Sequence, residues 1–205
     1  MKFYEILPGW ASERNVGSAC TELPCLSWSA FCRWTILLRG CYSLSPEELK
    51  ELNRYPTVRF ETFEYPYDVY QLYEVYLFSE RLRGVLEQQG LASSLLFIPV
   101  QLRPTRSVAE SAWETFFAVR FGKEVCVPCL KPYPIYRVST PDWIYGYTIY
   151  KRRNSLLIVD GSMVRERRLF VVSNVSDYAL VVREDALEEW LDKDIVVEFQ
   201  DVLLE

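Results

Sequence analysis

The chain has 205 residues, half of them apolar and a quarter charged, a composition that excludes a disordered chain and suits a folded unit with an ample core. Its net charge of −5 argues against nucleic acid as a partner, and no run approaches the roughly 18 apolar residues that a membrane-spanning helix needs. Histidine is absent, which excludes a Ser–His–Asp or Cys–His hydrolase and any zinc hydrolase built on imidazole ligands.

The opening segment, MKFYEILPGW, has neither the basic stretch nor the apolar core of a secretory signal. The expected compartment is therefore the cytoplasm, with the six cysteines as thiols or metal ligands rather than disulfides. Phe3 to Leu7 reads as a strand stopped by Pro8-Gly9. Residues 10–34 hold three Trp and three Cys among small polar residues and declare no element. Thr35 to Arg39 reads as a short strand. Ser45-Pro46-Glu47-Glu48 is a helix start, with Ser45 as cap, Pro46 where a missing N–H costs nothing and Glu48 closing a capping box, so a helix should run to about Asn53.

Arg59 to Phe63 reads as a strand and Tyr65-Pro66-Tyr67 as an extended link. A strand–helix–strand unit follows over Leu77–Val100 and occurs again over Leu180–Val202. In these units Leu82, Val85 and Leu86 match Leu187, Trp190 and Leu191 as an i, i+3, i+4 apolar stripe, one buried helix face. The second copy is about three residues shorter between helix and strand. Gly90 suits the residue after the first helix, and Pro99 places its strand at an edge or bulge. Arg103-Pro104-Thr105 reads as a linker. Beyond it, Ser107 and Glu110 form a second capping box, and Ala109, Ala112, Trp113, Phe116 and Phe117 fit a helical stripe.

A proline-rich segment, Cys126 to Pro134, leads into a β-meander over Ile144–Tyr150, Ser155–Val159 and Arg168–Ser173, with Arg152-Arg153-Asn154 and Asp160-Gly161 as turns. The expected fold is α+β: two related strand–helix–strand halves, 1–103 and 104–205, with antiparallel sheet and a few short helices, packed as one unit.

Charge is unevenly spread. Between Phe60 and Glu80 five acids face no base, and from Glu184 to Glu205 nine acids face Lys193 alone, while Lys131 to Arg168 carries eight bases against three acids. The segment ETFEYPYDVYQLYEVY interleaves carboxylates with tyrosines. Glu61, Glu64, Tyr65, Tyr67, Asp68, Tyr70 and Tyr73 are the candidate face for a basic protein partner, because charge speeds encounter and rings supply contact area. The alternative for that stretch is a solvated edge whose rings pack inward. Cys126-Val-Pro-Cys129 is a C-x-x-C with three readings: ordinary thiols with no cofactor, one half of a structural zinc site completed by Cys20 and Cys25, or a redox pair. No phosphate-cradling glycine motif is present.

Ser79-Glu80-Arg81-Leu82, Gly90-Leu91 and Phe97-Ile98-Pro99-Val100, with the opening Met-Lys-Phe-Tyr and the Tyr55-Pro56-Thr57-Val58 step, resemble a recurring element of bacterial immunity proteins from polymorphic toxin systems, particularly families abundant in myxobacteria such as those described as double-CXXCG proteins. About a quarter of the chain carries the likeness. Leu130 rather than Gly follows the one C-x-x-C, and no second C-x-x-C exists. The resemblance implies a small cytoplasmic protein that neutralises a cognate protein toxin by binding it and has no catalysis of its own. Two alternatives stay open: a regulatory or scaffolding module for a non-toxin partner, with or without a structural zinc, and a carboxylate-dependent enzyme.

Overall fold

A computed structural model of the chain describes residues 1–10, 28–39, 43–53, 58–62, 67–72, 75–104, 114–128, 136–138, 149–151, 157–173 and 179–205. The first part runs β1 (Phe3–Leu7), β2 (Gly9–Trp10), α1 (Trp28–Arg39), α2 (Pro46–Leu52), β3 (Val58–Thr62) and β4 (Val69–Leu72). The first repeat unit and its completing strand follow as β5 (Val75–Ser79), α3 (Glu80–Gln88), β6 (Leu95–Pro104) and β7 (Glu114–Phe121). Next come β8 (Cys126–Pro128), β9 (Tyr136–Val138), β10 (Ile149–Lys151), β11 (Leu157–Val159), α4 (Gly161–Val164) and β12 (Leu169–Ser173). The second unit is β13 (Ala179–Arg183), α5 (Glu184–Asp192) and β14 (Glu198–Leu204). No helix among the described residues is long and apolar enough to cross a membrane.

The class is α+β, with antiparallel and mixed sheets, and both repeat units are present as strand, nine-residue helix and strand. Each is a split unit whose two strands lie apart with a third strand between them. β7 runs antiparallel to both β5 and β6, and β1 runs antiparallel to both β13 and β14. The correspondence extends outward. The order β2-β4-β5-β7-β6-β3 matches β8-β12-β13-β1-β14-β11, with the outermost strand at each end parallel to its neighbour in both sheets. The register equates Phe116 with Phe3 and Val119 with Ile6, and so aligns Phe116–Gly122 with Phe3–Gly9. The middle strand of the second sheet is thus the first strand of the chain. A division at 103/104 falls at the end of β6 and leaves β7, which completes that sheet, on the far side. Among the described strands only β9 and β10 stand apart, as a two-stranded ribbon.

Strand alternation sends side chains from each sheet into two cores. Tyr76 and Phe78 of β5, Val119 and Phe121 of β7, Leu169 and Val171 of β12, and Leu180 and Val182 of β13 meet the apolar faces of α3 and α5 in one core shared by both halves. The opposite face of the first sheet buries Val75, Leu77, Phe116 and Ala118 against Phe31, Trp34, Leu37 and Leu38 of α1. The opposite face of the second packs Phe3, Phe170, Val172, Val181 and Val202 together with Val164 of α4.

Several local expectations hold with their chemistry intact. Ser45 accepts from the Glu48 N–H at 3.2 Å and Glu48 from the Ser45 N–H at 2.9 Å, so the capping box opens α2 and Asn53 ends it. Gly90 sits at φ 70° after α3, with Leu91 N–H donating to Leu86 O and Gly90 N–H to Glu87 O, a Schellman end. Leu95 to Pro99 of β6 pairs with β7 alone among the described strands, and β3 joins only from Val100, so Pro99 stands where its missing N–H disturbs no second ladder.

Others need correction. Thr35 to Arg39 is the last part of α1, not a strand; Phe31, Trp34 and Leu38 already stand on one helical face, and a short apolar run does not by itself distinguish the two states. Phe116 and Phe117 belong to β7, not to a helix. Every residue from Phe116 to Phe121 is buried, so the alternation that marks a strand is absent from their polarity. Residues 105–113 lie outside the described part. Asp160 accepts from the Ser162 N–H as the N-cap of α4 and makes no hairpin, since β11 and β12 stand far apart in their sheet. Counting from the helix starts, Leu82 and Leu86 correspond to Ala186 and Trp190. The second stripe is Ala186, Leu187 and Trp190, and Leu191 is 45% exposed. The helices of the two copies are offset by 104 residues (Glu80 to Glu184) and the strands that follow by 102 (Phe97 to Phe199), so the second copy is two residues shorter between helix and strand rather than three.

Candidate functional site

A cleft of about 630 Å³ opens where the start of β4, the β5–α3 junction and the start of β7 converge. Tyr67, Asp68, Ser79 and Phe116 line it, with Glu80, Arg81, Glu114 and Thr115 adding polar groups. Two of the candidate contact residues, Tyr67 and Asp68, therefore stand in a concave site.

Asp68 holds this junction together. Its backbone N–H donates to Val196 O and its carbonyl accepts from Ser79 N–H, both at 2.9 Å. Its carboxylate accepts from the Ser79 hydroxyl, from Arg81 Nη2 at 2.6 Å and from Val196 N–H at 2.7 Å. Ser79 Oγ in turn accepts from Leu82 N–H at 3.0 Å, as N-cap of α3. One side chain thus ties the entry to β4, the first turn of α3 and the segment before β14. The Ser79 hydroxyl is consumed by this network and is not poised as a nucleophile.

Burial withdraws two residues from the candidate face. Asp68 is 4% exposed because its partners converge on it, and Tyr70 is 1% exposed, packed edge-on to Phe116 and accepting from the Tyr67 N–H with its phenol oxygen. Tyr67 is half-buried; its hydroxyl donates to Glu198 at 2.6 Å and its ring meets Tyr70. Glu64, Tyr65, Tyr73 and the side chain of Glu61 lie outside the described residues. The inward-packing alternative for this stretch is therefore what Asp68 and Tyr70 adopt.

The corresponding junction of the second half carries the opposite charge arrangement. Arg168 replaces Asp68, its carbonyl likewise accepting from the residue that ends the following strand, Arg183. Its guanidinium donates to Asp185 at 2.8 Å and Glu189 at 2.6 Å, and Arg183 donates to Asp185 as well. Hydrogen bonding from Arg183 holds the Asp185 carboxyl down to about 2, against the opposing effect of partial burial and with help from the charge of Arg168. Hydrogen bonds from Gln89 and then Arg168 lower Glu189. Gln89 also accepts from Trp190 Nε1 at 3.0 Å and so clamps α3 to α5.

Arg81, Glu114, Ser79 and Glu198 were not among the candidate residues. Ser79-Glu80-Arg81-Leu82 is visible as a motif, and its polar members turn out to be a helix cap and an ion-pair partner; Glu198 reaches Tyr67 from far along the chain and leaves no local signal.

Cys126 is disulfide-bonded, which corrects the expectation of thiols at that position and removes it as a zinc ligand; Cys32 is a free thiol. Such a bond persists in oxidising compartments and runs against the cytoplasmic expectation. Cys20, Cys25 and Cys129 lie outside the described residues, among which no group of three or more His, Cys, Asp or Glu is placed to hold a metal ion. No protein-family model matches this chain, and no curated protein matches it either.

Proposed function

We propose that this chain is an immunity protein that binds a cognate protein toxin and neutralises it by occupying its working surface, transforming no substrate itself. The observation that carries the reading is the acidic exterior of the second repeat unit and the strand after it. Glu188, Asp192, Asp194, Glu198, Asp201 and Glu205 are all exposed there, against Lys193. Glu80 and Glu114 are exposed at the cleft of the first half, where Arg81, the one base among the described lining residues, is tied to Asp68. A toxin that acts on a phosphate backbone presents a basic cleft, and a field of carboxylates speeds encounter with it and competes for it.

The test is direct association. The toxin domain encoded beside this gene, purified in inactive form, is expected to form a complex whose association rate falls about tenfold or more between low and high salt. Absence of a complex, or a complex with no salt dependence and no protection of cells from the toxin, would remove the proposal.

A further inference from the structure

The two halves share a backbone arrangement but finish one face differently, and that difference marks a docking surface. In the first half, Arg83 of α3 lies over the rings of Phe97 and Phe117, 5.3 and 4.5 Å from their centroids, and is paired with Glu87 at 2.8 Å. Beside them Gln101 donates to Thr115 at 3.2 Å. Polar groups therefore cover this aromatic pair.

The strand registers and helix starts equate Phe97 and Phe117 with Phe199 and Tyr4, which keep the same edge-on contact at 5.3 Å. They equate Arg83 with Leu187, Glu87 with Leu191 and Gln101 with Leu203. Each polar cover has become leucine. Leu187 is buried, but Leu191, Phe199 and Leu203 are 45%, 42% and 47% exposed. Phe199, Asp201 and Leu203 alternate on the side of β14 that faces α5, while Val202 points into the opposite core. Scattered exposed apolar residues are ordinary. Here the first half demonstrates that the scaffold accepts polar residues at the same places, so folding does not demand the apolar ones.

We infer that Leu191, Phe199 and Leu203 form the contact patch for a protein partner that brings an apolar centre with basic residues around it. The choice of a basic partner follows from Asp201, set between the two β14 anchors, and from exposed Glu188 and Asp192 on α5. A second copy of this chain would set carboxylate against carboxylate. The inference rests on the toxin-binding reading and gives it a location, at the second half instead of residues 61–73. Large exposed anchors rimmed by charge are the pattern in which a few residues dominate affinity.

Two variants test it, Phe199→Ser with Leu203→Ser, and Leu191→Glu, all at exposed positions where folding should be kept and is checked by an unchanged melting temperature. Against the neighbouring-gene toxin domain, each is expected to weaken binding about 100-fold or more, while the equivalent first-half change Glu87→Lys has no effect beyond about threefold. If wild type and variants bind alike, the patch is wrong and the toxin reading stands. If the wild type fails to bind the toxin domain, that reading falls. The patch is then judged with a synthetic peptide alternating Lys and Leu: binding lost in the serine variant supports it, and no binding or equal binding overturns it. Wild type that sediments as a dimer, dissociated by the same variants, also overturns it in favour of a second copy.

Discussion

Asp68 and Arg168 occupy one position of the fold in its two halves and carry opposite charges. The carbonyl of each accepts the N–H of the residue that closes the next strand, Ser79 or Arg183, at 2.9 Å. The side chain of each pairs with the second residue of the following helix, Arg81 or Asp185, at 2.6 and 2.8 Å. An ion pair has been kept while both of its signs were exchanged. The geometry of the junction, rather than the identity of either charge, is what the fold requires.

Asp68 is the more buried of the two, which makes it a structural residue. Asp68→Ala leaves Val196 N–H and the Ser79 hydroxyl without this acceptor and removes the carboxylate that Arg81 pairs with. The expected loss is about 2–4 kcal/mol in chemical denaturation, discounted from a fully buried pair because Arg81 is half exposed. A loss under about 0.5 kcal/mol would mean that the junction does not depend on this carboxylate. A charge reversal at Asp68 is, by the same argument, a probe of folding and not of partner binding.

Asp185 makes the second half sensitive to acid. Its carboxyl, at about 2, lies below its ordinary value of 3.8, so the folded state favours the charged form. The stability it contributes is present above about pH 4 and is lost as pH falls through about 2. Because the side chain is 46% exposed, solvent screening reduces the contribution to under about 1 kcal/mol. Asp185→Asn is expected to flatten the pH dependence of stability in that window and leave it unchanged between about pH 6 and 8. An unaltered slope below about pH 4 would contradict the assignment.

The helix ends offer a prediction of opposite sign. α5 closes with the same pair of hydrogen bonds as α3: Ile195 N–H donates to Trp190 O and Asp194 N–H to Leu191 O, both at 3.0 Å. Asp194, at φ 56°, stands where α3 has Gly90. A side chain in the left-handed region carries a steric cost that glycine escapes. Asp194→Gly is expected to raise stability by about 0.5–1 kcal/mol, and Gly90→Ala to lower it by about 1 kcal/mol although nothing within 4 Å obstructs its Cβ. A fall in melting temperature for Asp194→Gly would refute the cap reading.

What was legible in the sequence was local. Ser45, Glu48 and Gly90 act through neighbours within five residues, and the paired helix stripes are short patterns of the same kind. The aligned segments Phe3–Gly9 and Phe116–Gly122 share Phe, an aromatic, a β-branched residue and Gly at matching places, yet four matches in seven residues are too few to mark a repeat. One lies before its repeat and the other after, and β7 is buried on both faces and shows no alternation. The burial of Asp68 was illegible for a different reason. Its acceptor atoms are satisfied by Val196 and Arg81, which only the folded chain brings near, so a solvated acid and a buried one look alike in sequence. The patch at Leu191, Phe199 and Leu203 was hidden because apolar residues in a repeat invite assignment to the core. Only the comparison of the two halves reveals that they lie outside it.

The strand arrangement predicts that the chain tolerates being reopened. β1 lies antiparallel between β13 and β14, as β7 lies between β5 and β6, and residues 105–113 separate β6 from β7 along the chain. Tyr4 stands opposite Asp201, so the ends of β14 and β1 are neighbours in the sheet. A linker of about nine residues from Glu205 to Met1, with the chain cut between β6 and β7, exchanges one connection between neighbouring strands for another with a similar number of residues. Loop entropy varies only with the logarithm of length, so the exchange is close to neutral. The permuted chain is expected to fold with unchanged circular dichroism and a stability within about 2 kcal/mol of the original. A permutant that stays unfolded would show that the order in which the two sheets receive their middle strands matters, and that the halves are not equivalent in the way their registers indicate.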